Sequence, residues 1–319
     1  MNQLNQQAEA SALIEEVLKP LYYADIFDFP LKFEEIYRFL EVKTSPEVVQ
    51  HTLDKALAAG QIIQVDGFYS LAGRTDLARQ RQERAQTSEG LWAKGIQYGR
   101  WIASLPFIKM VSITGSLAVD NPRDGHDDID YLIVTQPQRL WLCRALIIAL
   151  VRYGLRQGVT ICPNYILTEN VLYFEEENLY AAREIVQMVP IYGQESYLSL
   201  RRANTWISNY LPQSTDLNLT KLNDRLNPIQ TLFKKTTEFL LKGSIGDQAE
   251  KFLQRKQINK HRKLAEMRGA LDHVVFTADM CKGHYDNHGH KTLEAYHRRV
   301  NRPHPEVATP LTPRTSRQD

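Results

Sequence analysis

The chain has 319 residues, 43% of them hydrophobic, 24% charged and 9% aromatic, with a formal net charge of +2. This composition excludes global disorder, and the length allows two or three modules, each able to bury its own core. The longest apolar run of the strongest hydrophobic segment, Ala145 to Val151, lies between Arg144 and Arg152. A membrane span needs roughly 18 apolar residues, so this run predicts a buried helix and no membrane partner.

The first 16 residues are rich in Gln, Asn and Glu and lack the basic-then-apolar pattern of a secretory leader. The three cysteines, Cys143, Cys162 and Cys281, are odd in number and widely spaced, which suits a reducing cytoplasm better than a disulfide framework. The charge is uneven: −6 over residues 1–70, +4 over 71–110, −4 over 111–219 and +8 over 220–319. An acidic head and a basic tail therefore face different partners.

In chain order, Ala12 to Tyr23 predicts an amphipathic helix, and Phe33 to Leu40 places Phe33, Ile36, Tyr37 and Leu40 at helical spacing. Ser45-Pro46-Glu47 is an N-cap with proline in the first turn of a helix that runs to Ala59, with Gly60 as its stop. Ile62 to Val65 and Phe68 to Leu71 flank Asp66-Gly67, a hairpin signal. Three helices and a hairpin over residues 1–75 resemble a winged helix-turn-helix domain. Its acidic balance opposes a phosphate backbone, and the helix from Pro46 offers only Gln50, His51 and Lys55. Packing or dimerisation fits this head better than DNA binding, so a homo-oligomer is one expectation.

Residues 76–104 read as one long helix carrying Leu91, Trp92, Ile96 and Trp101, ended by Pro106. Trp92, Trp101 and Trp141 lie at helical spacing among apolar residues and are expected in the core. Strands follow at Lys109 to Thr114, Ile129 to Thr135 and Thr160 to Thr168, with a helix over Arg139 to Leu155 between the second and third. That crossover makes the second and third strands parallel. Leu179 to Met188, and Leu217 to about Leu271, read as helical and increasingly basic, and Asn301 to Asp319 as a disordered tail. The expected fold class is α/β (α+β): a mixed-sheet core over 76–216, with the head before it and a basic helical domain over 217–300.

The chemistry concentrates in Gly115-Ser116 and in Asp128-Ile129-Asp130. Two carboxylates alternating on one strand face lie roughly 6–7 Å apart along the strand and repel unless a cation sits between them. A hard divalent ion with oxygen ligands, Mg²⁺ or alternatively Mn²⁺, fits that gap. Gly115 and Ser116 fall where a strand gives way to a helix, where free amides attract an anion and glycine admits a phosphate. Five aspartates between 120 and 130 are costly without a cation. A phosphate cradle beside a two-carboxylate metal site is what phosphoryl or nucleotidyl transfer requires.

The string hydrophobic-Gly-Ser, a spacer, then Asp-hydrophobic-Asp resembles the nucleotidyltransferase superfamily typified by DNA polymerase beta, over about 60 residues from Lys109 to Glu169. The resemblance implies that Asp128 and Asp130 bind metal, that Gly115 and Ser116 hold the distal phosphates of an NTP, and that a nucleoside monophosphate passes to an acceptor. It also implies a third carboxylate near the start of the next strand, where this chain has Cys162, Pro163 and Asn164. Asn164 is the candidate third ligand, able to coordinate through its carbonyl but not to act as a base. Glu169 falls at the wrong end of that strand, so either the acceptor is already a good nucleophile or a base such as Glu184 or His284 enters from the C-terminal domain. Glu184 and Gln187 could face the cleft or simply solvent. A catalytically weak NTP-binding or DNA-associated regulator is the alternative reading. The stretch Cys281 to His290, with His284, His288 and Lys282, matches no standard zinc spacing. It reads either as a loop facing phosphate or as bare surface, and the basic helix Lys256 to Arg268 either as a solvated face or as contact for a polyanionic acceptor.

Overall fold

The computed structural model describes residues 2–269, 274–283 and 287–301. Two compact units divide between Arg79 and Gln80, and the chain rejoins the first unit from Glu294.

In the first unit, α1 (Asn2–Asp25), α2 (Phe33–Arg38) and α3 (Pro46–Ala58) precede the strands β1 (Ile62–Val65) and β2 (Phe68–Leu71). Ser45 accepts a hydrogen bond from the Val48 amide and opens α3 as its sequence predicts. The strands pair antiparallel with Val65 opposite Phe68. Asp66 and Gly67 both take positive φ, 53° and 80°, as this two-residue turn demands. Val17, Leu18, Leu21, Ile36, Leu40, Val49, Leu53 and Ile62 form the core. On α3, Glu47, His51, Asp54 and Lys55 remain exposed.

The second unit begins within α4 (Leu77–Ala103), followed by β3 (Ile108–Thr114), α5 (Gly115–Ala118), β4 (Ile129–Thr135), α6 (Leu140–Arg156) and β5 (Ile161–Thr168). Then come α7 (Leu179–Gln187), β6 (Val189–Tyr192), α8 (Gln194–Ala203) and a 3₁₀ turn at Thr205–Asn209. The chain continues with α9 (Pro228–Leu241), α10 (Ser244–Arg268), β7 (Val275–Phe276), β8 (Met280–Lys282) and α11 (His288–Val300). The fold is mixed α/β around a six-stranded mixed sheet of order β6-β3-β4-β5-β8-β7. The β4–β5 pair is parallel, as the α6 crossover requires, and the other neighbours are antiparallel.

One sheet face is closed by α4 and α6. Gly95 and Gly99, one turn apart, bring α4 so close that a Cβ would meet Ile113 or Ile191 at 2.8 Å, and Tyr131 Oη donates to the Gly95 carbonyl at 2.7 Å. Trp141 is fully buried here, whereas Trp92 and Trp101 only edge the core.

Three expectations are corrected. Residues 217–271 are not one helical run: Leu217 to Asn227 is irregular, because Asn227 caps Pro228 in a capping box and Lys242-Gly243 then separates α9 from α10. Cys281 does not lie in a loop but in β8, buried opposite Ile166, since the added strand completes the edge of β5. His288 and His290 sit in the first turn of α11, while His284 and the tail after Asn301 lie outside the described residues.

The basic helices dock through their acids. Glu250 accepts from the Trp141 and Leu142 amides at 2.9 and 2.7 Å, capping α6, which has no cap of its own. Glu238 accepts from the Phe107 amide at 2.8 Å. Lys234 Nζ donates to the carbonyls of Ala103 and Ile108, and burial pushes its pKa down to about 8. The outer face of α10, with Arg255, Lys256, Lys260, Arg262 and Lys263, stays exposed.

Candidate functional site

The site is built where β3, β4 and β5 meet. Antiparallel pairing puts Thr114 opposite Asp130, and parallel pairing puts Cys162 on its other side. Asp128 stands just before β4. One ligand atom each from Asp128, Asp130 and Cys162 falls within 4.8 Å of the others, and no other such group of three occurs among the described residues.

Gly115 follows β3 at φ +66°, and a Cβ there would lie 2.3 Å from Asp130 Oδ2. Both the backbone angle and the close approach disfavour a side chain at this position. α5 is a single turn that starts at Gly115, beside Asp130, so it offers the free amides of one turn rather than a long helix dipole. Asp127 is engaged within its own loop, accepting from the Ser116 hydroxyl at 3.1 Å and from the Arg123 amide at 3.0 Å.

The electrostatics are those of an overcrowded carboxylate. Burial first, then the charge of Asp128, with smaller contributions from Glu184 and Asp127, raise the Asp130 pKa from 3.8 to about 8, against a hydrogen bond from the Cys162 thiol that lowers it. Burial and the two aspartates push the Cys162 thiol up, which leaves it a donor to Asp130 rather than a thiolate. Glu184, half-buried on α7, is raised to about 7 by burial. The oxygen donors of Asp128 and Asp130 suit a hard divalent cation, and the neutral thiol leaves those oxygens as its anchors.

The register accounts for the third position. Between Asp130 and Leu132 on β4, β5 advances from Cys162 to Tyr165 and so carries one extra residue in the Pro163-Asn164 stretch. Proline has no amide to donate to the ladder. Cys162 therefore faces Asp130, and Asn164 lies half-buried in the irregular part. Glu169 sits past the far end of β5, where it accepts from Ser196 at 3.2 Å and lies 3.9 Å from Lys109. Lys282, one of the candidate phosphate contacts, is ion-paired with Glu176 instead. Gln187 ends α7 half-buried. Sequence reasoning passed over Cys162 as a participant; the signal was the Cys-Pro pair, since a proline inside a strand marks a bulge.

No family model, no curated protein and no solved structure matches the chain. Among the described residues no helix is long and apolar enough to cross a membrane.

Proposed function

We propose that the protein is a divalent-metal-dependent nucleotidyltransferase that moves a nucleoside monophosphate from an NTP to an acceptor and releases pyrophosphate. The observation that carries the reading is the convergence of Asp128 and Asp130 beside the backbone of Gly115. Mg²⁺ or Mn²⁺ held there would bind the triphosphate and stabilise the leaving pyrophosphate. Gly115 and Ser116 would bind distal phosphate oxygens through their amides, the glycine allowing the approach. The acceptor oxygen attacks the α-phosphorus, the bond to the bridging oxygen breaks, and the acceptor proton must leave. Glu184, whose charge reaches Asp130 and whose proton affinity is near neutral, is the base this chain offers, whereas the Asn164 amide cannot take a proton.

The second reading, an NTP-binding regulator with little turnover, is favoured by one feature: a thiol, not a carboxylate, faces Asp130.

Incubation of the purified chain with each α-labelled NTP and Mg²⁺ tests both readings. Transfer of label to protein, nucleic acid or a small acceptor, abolished in Asp128→Asn/Asp130→Asn, is the expected result. A nucleotide-dependent rise in Tm without transfer selects the regulator. The same rise in the double variant refutes the site.

A further inference from the structure

The helix α9 is inverted. Its polar side turns inward, with Lys234 on two carbonyls and Glu238 on the Phe107 amide. Its apolar side chains turn to solvent: Ile229 is 80% exposed, Leu232 69%, Phe233 49%, Phe239 81% and Leu240 62%. At 100° per residue these five, with Thr236 among them, fall in one stripe about 120° wide. Across the Lys242-Gly243 link, Ile245 (71%) and Phe252 (64%) on the adjoining α10 are exposed as well.

A monomer rarely leaves so many large side chains together in water. At roughly 200 Å² for each side chain, these exposures amount to about 900 Å², close to the ~800 Å² per partner of a standard stable interface. The stripe itself carries no charge, as the centre of a homodimer interface requires. At the start of α10 the apolar part of the exposed face is confined to Ile245 and Phe252, since Arg255, Lys256, Lys260 and Lys263 follow on it, so α9 forms the centre of the surface, and a second copy covers it through an isologous contact. A lipid surface fits less well. Lys235 and Lys242 flank only one edge of the stripe, whereas Gln230 and Thr237 on the other are uncharged, and an interfacial helix carries basic residues along its polar face.

We infer that the exposed apolar stripe of α9, extended by Ile245 and Phe252, is the dimerisation surface of this protein. The test is sedimentation of the full chain across a dilution series. The expected result is a species of twice 36.8 kDa. Leu232→Asp/Phe239→Asp should weaken the dimer at least about a hundredfold, with an unchanged circular dichroism spectrum. Thr236→Arg removes no apolar side chain, places a charge midway along the stripe, and should act in the same direction. A wild-type monomer throughout the series overturns the inference, as does a dimer that survives Thr236→Arg. A monomer that co-sediments with phosphatidylcholine–phosphatidylserine vesicles assigns the stripe to lipid and overturns it too.

Discussion

Glu250 and Asp130 are both acidic side chains drawn out of water within the same unit, and their surroundings treat them in opposite ways. Both oxygens of Glu250 accept a backbone amide at the start of α6, and Arg139 lies near. Burial still raises its proton affinity, but the two amides and the guanidinium oppose the rise. Among the described residues Asp130 has one weak donor, the Cys162 thiol, and feels the charges of Asp128, Glu184 and Asp127. A carboxylate supplied with donors holds two elements together. A carboxylate supplied mainly with other carboxylates is costly unless a cation offsets the repulsion, and the proposed metal site rests on that contrast.

The sharpest break would come from activity. Asp128→Asn should lower nucleotidyl transfer by at least about a thousandfold while leaving the metal-free Tm within a few degrees, whereas Glu250→Gln should do the reverse. Steady-state transfer rates and melts of both variants decide whether the two acids differ in kind.

Glu250→Ala leaves two amides of α6 without partners in a buried place and should cost about 2 kcal/mol of stability, read from denaturant unfolding. A cost near zero would mean that water replaces the carboxylate and that the α6–α10 contact rests on apolar packing alone.

The third outcome has a sign fixed by linkage. The folded Asp130 binds a proton below about pH 8, while the unfolded one does so only near its ordinary 3.8. Stability contributed by this group therefore falls as pH rises through that window, and the full penalty stands above about pH 8. Without divalent metal, Asp130→Asn should melt a few degrees higher than wild type near pH 9, and the gap should close toward pH 4. A variant less stable than wild type at high pH would show that Asp130, like Glu250, is held by donors.

The smallest effect is at Gly115→Ala. The positive φ alone costs about 1 kcal/mol, and the added carbon must displace Asp130. A loss of nucleotide-dependent stabilisation larger than the loss of stability would tie Gly115 to the ligand as well as to the turn.

Much of this fold is legible in the sequence because its determinants are local. The Asp66-Gly67 turn, the Ser45-Pro46 cap and the apolar strands around Ile113 and Ile133 depend on neighbours a few residues away. The parallel β4–β5 pair follows from a helix placed between two strands. Gly115, Ser116, Asp128 and Asp130 were legible as a group because strand periodicity and one tight turn bring them together.

The rest was decided at long range. A one-residue bulge at Pro163-Asn164 puts Cys162 opposite Asp130, where an unbroken ladder carried back from Leu132 and Tyr165 would put Pro163; alternation along a single strand carries no information about its partner's register. Glu250 caps a helix more than a hundred residues earlier, and sequence periodicity on α10 shows only that it is mostly polar. On α9 the same apolar stripe that would mark a buried face points outward, because Lys234 and Glu238 meet carbonyl and amide groups at the end of α4 and the start of β3. Composition and spacing define which residues share a face; only the tertiary structure, through burial and the partners available, decides which way that face turns.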